Sequence, residues 1–218
     1  IMPLAAPIGS GLGSSSTLVV SMIKAWDSLL DLGMDQYDLA EHAFHIERKI
    51  CNLAGGRQDH YAASFGGINL IEFTKEKVQV HPLKIKNWIK CDLESSILLR
   101  NTGVSRQSSV IISDQINILN NQTKLMNLHM IKSFTNDTKK ALLRGNIDEL
   151  VEIINKSWIY KKNTSKKINS EKIQERISIG LASGAKAAKV SGAGGGGFML
   201  FYIKENQKKL EIQLYIHL

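Results

Sequence analysis

Leu18, Met22, Ala25, Trp26, Leu29 and Leu30 recur at helical spacing, which predicts a helix opening at Ser14, Ser15 and Ser16 and closing near Gly33. A second apolar stripe of Leu39, Ala43, Ile46 and Ile50 predicts a helix from Gln36 to about Ile50, capped by Asp35. Gly55 and Gly56 break the chain, and Gln58 to Phe65 reads as a short helix closed by Gly66 and Gly67. The period then changes. Residues 68–73 and 77–80 read as strands joined by a polar turn at Lys75 and Glu76, and residues 96–101 as a third strand. Helical spacing returns with Ile111, Ile112, Ile116, Leu119, Leu125, Met126 and Leu128. Asn136 opens another helix that stops near Gly145, and residues 147–163 and 171–181 complete an antiparallel helical set. Strands at 185–191 and 198–203 flank a Gly/Ala run. This order is an α+β signature in two lobes that split near Asn101, giving domains 1–100 and 101–218.

Composition narrows the class. With 43% hydrophobic and 22% charged residues over 218 positions, this is a folded globular chain rather than a disordered tail. Cys51 and Cys91 cannot form a disulfide framework, so a reducing, cytoplasmic setting is expected. No stretch approaches the roughly 18 uncharged apolar residues of a membrane span, and no membrane partner is expected. The net charge of +8 comes from scattered lysines without an interleaved aromatic platform. A solvated surface and an anionic substrate account for it better than a nucleic acid does. His42 and His45 sit at i, i+3, but no third residue is spaced to complete a zinc site. The chain opens on Ile1 rather than Met and reads as a fragment.

The densest chemistry lies at Pro7-Ile8-Gly9-Ser10-Gly11-Leu12-Gly13-Ser14-Ser15. Alternate glycines permit a tight turn, and a helix beginning there aims its N–H groups and positive dipole end at one spot, which suits a phosphate. The spacing is neither a Walker A loop nor a dinucleotide fingerprint. By itself the stretch is a phosphate loop or a Gly/Ser linker with a helix cap. Glu47 and Asp59 come next, twelve positions apart across a helix end. Two carboxylates and a serine-rich loop are what metal-assisted phosphoryl transfer needs. The pattern equally fits Glu47 as a surface residue paired with Arg48 or Lys49, and Asp59 as a helix cap. Arg106 with Ser105 is either an anion grip or a surface arginine at a cap, and residues 192–197 are either a loop at a bound phosphate or a hinge.

Together these segments resemble a known family. Pro7 and Gly11 to Ser15 match the Pro-x-x-x-Gly-Leu-Gly-Ser-Ser of the second motif of the GHMP kinases (galactokinase, homoserine kinase, mevalonate kinase, phosphomevalonate kinase). Gly56 to Gly66 is similar to their Gly-x-x-Asp-x-x-Ala/Ser-x-x-x-Gly segment, and Lys189 to Phe198 to their third motif. The family's first motif is absent, and the tail after Ile203 does not resemble theirs. The resemblance implies a two-lobe α+β kinase with a partial N-terminal lobe and a ferredoxin-like C-terminal lobe. It implies ATP held along Pro7, Gly9, Ser10, Gly11, Leu12, Gly13, Ser14 and Ser15, with Mg²⁺ on Ser15 and Glu47. Asp59 becomes the catalytic carboxylate. Gly56, Gln58 and Arg106 bind substrate with it, and Ser191, Gly192, Ala193, Gly194 and Gly195 form a loop beside the phosphates. Residues 54–63 and 102–106 look most like the branch of D-glycero-D-manno-heptose 7-phosphate kinases, which phosphorylate the anomeric hydroxyl. A galactokinase- or fucokinase-like enzyme, or a non-catalytic nucleotide- and sugar-binding regulator, stays the alternative. The expected partner is a small sugar phosphate, and a homodimer stays open.

Overall fold

The computed structural model describes residues 10–104, 111 and 121–204. These divide into two compact units, residues 13–84 and residues 10–12 with the described residues from 85 onward.

The first unit begins with α1 (Ser14–Leu30), α2 (Gln36–Phe44) and α3 (Gln58–Phe65). The antiparallel hairpin of β1 (Asn69–Phe73) and β2 (Val78–Pro82) comes after them, in register from Asn69↔Pro82 to Phe73↔Val78. Asp35 caps α2 as expected, accepting from the Tyr37 and Asp38 backbone while the Asp38 carboxylate returns to its own N–H. That reciprocal box fixes where the helix starts. A small core of Ala40, Tyr61 and Val80 gathers Phe65, Ile71 and Val78 around it.

Two features of this unit do not follow from the apolar spacing. The apolar stripe of α1 is not core: Trp26 is 57% and Leu29 72% exposed, while the buried residues of that helix are Ser16, Val20 and Asp27. The helix turns its more polar face to α2 and α3. Asp27 earns that burial through bonds: its carboxylate accepts from the Met34 backbone at 2.9 Å and from Lys24 at 2.7 Å. The second helix also loses its α period, becoming a π-helical turn over His45–Ile50, with the Cys51 N–H reaching back to the Ile46 carbonyl at 2.9 Å. The wider turn rotates its side chains away from the α-helical wheel, so Ile50 is 68% exposed and Glu47 only 3%.

The second unit contains α4 (Asn87–Ser96), β3 (Ile97–Asn101), α5 (Gln122–Arg144), α6 (Ile147–Lys162), α7 (Glu171–Ala182), β4 (Ala187–Val190) and β5 (Phe198–Tyr202). Its sheet runs β3-β5-β4, antiparallel throughout. Ile111, Trp158, Ile168, Ile173, Ile177, Val190, Met199 and Phe201 form its closed core. Helix α4 has no apolar stripe to betray it, burying only Ile89 and Ser96. Asn136 does not start a helix but lies inside α5. Asn costs an α-helix interior well under about 1 kcal/mol, too little to break one packed along α6. Gly145 in the left-handed region ends α5, and the Asn146 side chain caps α6. The division between units falls between Lys84 and Ile85 because β3 pairs with β5. Cys51 and Cys91 are free. No helix among the described residues is long and apolar enough to cross a membrane.

Candidate active site

The glycine loop and the third-motif loop meet in the second unit. The Phe198 N–H donates to the Ser10 carbonyl at 3.0 Å, and the Ser191 hydroxyl donates to the Gly11 carbonyl at 3.0 Å. Backbones touch here: a Cβ on Gly192 (φ +61°) would lie 2.8 Å from the Gly11 carbonyl oxygen. The third-motif loop is anchored on its other sides as well. Gly197 N–H donates to the Val104 carbonyl at 3.0 Å and Thr102 N–H to the Gly197 carbonyl at 2.7 Å. Lys161 Nζ donates to the Gly192 carbonyl, and Arg176 Nη1 to that of Thr102. Gly194 and Gly195 are buried, and Ala193 packs against the core. Of the expected residues, Ser10, Gly11, Ser191 and Gly192 are thus brought into one cluster. Pro7, Gly9 and Arg106 lie outside the described residues.

At the start of α1 the three serines do not cap. Gly13, left-handed at φ 75°, is the N-cap, and among the described residues no side chain caps the first N–H groups. The first N–H groups therefore keep no side-chain acceptor of their own, and the positive end of the helix dipole stays available to an anion. Ser15 and Ser16 turn to Glu47 instead. Ser15 Oγ donates to Oε1; Ser16 Oγ donates to Oε2 at 2.8 Å and His60 Nε2 reaches Oε2 at 2.6 Å. The Arg48 guanidinium lies 3.6 Å from Oε2. Burial alone would push the Glu47 carboxyl up, but the Ser15 and Ser16 hydrogen bonds, the Arg48 charge and the His60 bond outweigh it and hold the pKa below the ordinary value. Glu47 is therefore not the solvent-facing residue that its place on the helical wheel suggests. His60 was hidden among scattered histidines. Its one signal was adjacency to Asp59, because strict helical spacing between residues 47 and 60 is broken by two glycines.

Asp59 is the opposite kind of carboxylate. It stands exposed in the first turn of α3, whose N-cap is Arg57, and makes no hydrogen bond or ion pair with any described residue. The helix-cap reading of Asp59 therefore has no hydrogen bond behind it. The turn that carries Asp59 is held rigid around it. Arg57 Nη1 pairs with Glu41 Oε1 at 2.8 Å, with the guanidinium carbon 4.4 Å above the Phe44 ring centre. Tyr61 donates its hydroxyl to the same Glu41 oxygen, and burial together with that carboxylate raises the phenol's pKa. The Arg48 guanidinium fills the space that a Cβ on Gly55 would need, 2.6 Å from its Cζ. Gly56, Arg57 and Gln58 line an open concavity with Thr74, Lys75 and Lys77.

Oxygen donors such as Ser15 Oγ and the Glu47 carboxylate suit a hard cation like Mg²⁺. No cluster of three His, Cys, Asp or Glu among the described residues could hold a metal alone, so such a cation would complete its shell with phosphate and water oxygens.

Two family models match the chain, GHMP kinases N terminal domain over residues 5–67 and GHMP kinases C terminal over residues 138–216. The D-glycero-alpha-D-manno-heptose 7-phosphate kinase of Campylobacter jejuni is 40% identical over 93% of this chain and 60% of its own length. The L-fucokinase/L-fucose-1-P guanylyltransferase of Bacteroides fragilis is 26% identical over 96% of this chain and 22% of its own. The crystal structure of a D-glycero-D-manno-heptose 1-phosphate kinase from Bacteroides thetaiotaomicron superposes with a TM-score of 0.76 at 37% identity, covering 97% of this chain and 59% of that one. The chain thus spans about 60% of the length of the heptose-phosphate kinases it matches.

Proposed function

We propose, from the premise that this chain belongs to the GHMP kinase family and has its mixed α+β fold, that it carries the working residues of an ATP-dependent sugar-phosphate kinase. The acceptor is the anomeric hydroxyl of D-glycero-D-manno-heptose 7-phosphate, and the product is the 1,7-bisphosphate. The observation that carries the reading is the contrast between the two carboxylates. Glu47 is buried and hydrogen-bonded at both oxygens, whereas Asp59 is exposed, unpartnered among the described residues and mounted on a braced turn.

In this reading the glycine loop and the uncapped N–H groups of α1 take the ATP phosphates. Ser15 and Glu47 would hold Mg²⁺, which neutralises phosphate charge. Asp59 orients the sugar hydroxyl and accepts its proton as the phosphoryl group arrives. Gly56 and Gln58 flank Arg57 just ahead of Asp59, and the concavity they line carries Lys75 and Lys77 against Glu76, with Arg57 paired to Glu41, a balance that supports a phosphate-bearing sugar. Arg106, outside the described residues, is assigned to substrate binding on its place in the sequence alone. The names of the two heptose relatives place the substrate phosphate at different positions, 7 in one and 1 in the other. Transfer to the anomeric hydroxyl requires position 1 to be free, so the 7-phosphate is the acceptor.

The test is Asp59→Asn in the full-length protein, with heptose 7-phosphate, heptose 1-phosphate, fucose and galactose as acceptors. The wild type should prefer the 7-phosphate. The variant should bind ATP as before while kcat falls by about 10²–10⁴. Retention of more than roughly a tenth of the rate overturns the role of Asp59, and equal turnover of the neutral sugars overturns the substrate.

A further inference from the structure

We infer that His60 is a positioning residue that leaves Glu47 only one oxygen for a cation and thereby sets a preference for Mg²⁺ over Ca²⁺; this rests on the reading of Glu47 and Ser15 as the metal-holding pair. The two carboxylate oxygens differ sharply. Oε2 faces inward, where it meets Ser16 Oγ at 2.8 Å and His60 Nε2 at 2.6 Å, both on buried residues, with Arg48 at 3.6 Å. Oε1 meets Ser15 Oγ, and Ser15 is exposed. A carboxylate oxygen has two lone pairs, and those of Oε2 are taken by two donors. A cation arriving from the exposed side meets Oε1.

The ring is built to hold this state. His60 is 0% exposed, its Nδ1 has no hydrogen-bond partner among the described residues, and the Phe44 ring stands edge-on with centroids 5.8 Å apart. A hydrogen on Nδ1 would be buried without an acceptor, a costly arrangement, and the Glu47 carboxylate only accepts, so the geometry places a hydrogen on Nε2, aimed at Glu47. The bond partner therefore dictates the tautomer.

Denticity then becomes selectivity. Mg²⁺ demands a compact octahedron and takes carboxylates through one oxygen, while Ca²⁺ accepts six to eight oxygens and readily takes both from one carboxylate. Freeing Oε2 lets Glu47 swing and bind through both oxygens, which helps Ca²⁺ and harms Mg²⁺.

Calorimetric titration of Mg²⁺ and of Ca²⁺ into the full-length protein, with a non-hydrolysable ATP analogue present, reads the ratio of the two affinities. His60→Leu should weaken Mg²⁺ by about tenfold, as is usual for losing an outer partner of a metal ligand, while Ca²⁺ binds as tightly as before or more so. His60→Gln, whose amide N–H replaces the ring donor, should restore much of the ratio. Ser16→Ala removes the other donor to Oε2 and should move the ratio the same way. It also decides the matter should His60→Leu not fold. A merely structural role would weaken both cations alike. An unchanged ratio in folded His60→Leu and in Ser16→Ala, against a wild type that binds Mg²⁺, overturns the inference alone. A wild type with no Mg²⁺-dependent affinity overturns the reading of Glu47 and this inference with it.

Discussion

The two units handle apolar surface in opposite ways. The second encloses it: Met199, Phe201, Ile168 and Ile173 are fully buried around β5, whose two neighbours both pair with it. Among its described residues the first has a smaller core, the cluster of Ala40, Tyr61 and Val80 with Val20, Leu39 and Ala43 also buried, and it buries Ser16, Asp27, Glu47 and His60 as well. Its most apolar stripe, on α1, lies in solvent at Met22, Trp26, Leu29 and Leu30. Where a helix must present a polar side to build a site, the amphipathic pattern stops reporting which side is inside. The larger closed apolar core lies in one unit and the buried Ser16–Glu47–His60 network in the other.

The largest expected effect tests that contrast. Phe201→Ala should destabilise the second unit by about 3–5 kcal/mol, since a fully buried aromatic leaves a cavity. Trp26→Ser, on an equally large but exposed side chain, should stay within about 0.5 kcal/mol. Urea midpoints for the two variants decide it, and equal losses would mean the α1 stripe is covered in solution.

Gly192→Ala comes next. A left-handed φ costs an L-residue about 1–2 kcal/mol, and the added methyl meets the Gly11 carbonyl. The docked glycine loop should shift, and affinity for an ATP analogue should fall roughly tenfold, the equivalent of about 1.4 kcal/mol. An unchanged calorimetric Kd would separate that docking from nucleotide binding.

The smallest effect concerns pH. The folded-state pKa of Glu47 lies below its ordinary 4.5, so its bonds stabilise the fold above that pH and the gain is lost as pH falls through the lowered value. Glu47→Gln should therefore be less stable than the wild type near neutrality, by about 1–2 kcal/mol for weakened charge-assisted bonds. The gap should close on acidification below 4.5. Melting temperatures that stay parallel down to about pH 3 would show that Ser15, Ser16 and His60 do not favour the ionised form.

Local signals carried much of the fold. Asp35, Gly145 and the pair Gly66–Gly67 act on neighbouring backbone, so the helix ends they mark were legible. The strands on either side of Lys75 and Glu76, and β4 and β5, rest on short apolar runs bounded by turn residues, a signal of the same short range. Helix α4 was not legible because its burial is nearly confined to Ile89 and Ser96. The unbroken α5 was misread because the cap preference of Asn136 is weaker than continued packing along α6.

The chain by itself determined the glycine-serine loop, the Gly56–Gly66 segment carrying Asp59 and the second glycine run, because each depends on residue type at fixed spacing. Only tertiary structure decided what Glu47 is. A π-helical turn of one extra residue carried it inward, and serines from α1 with a histidine from α3 closed on it across 31, 32 and 13 positions of sequence. Spacing along the chain cannot encode such a meeting. It arises when separately folded helices pack and a buried charge must find its donors.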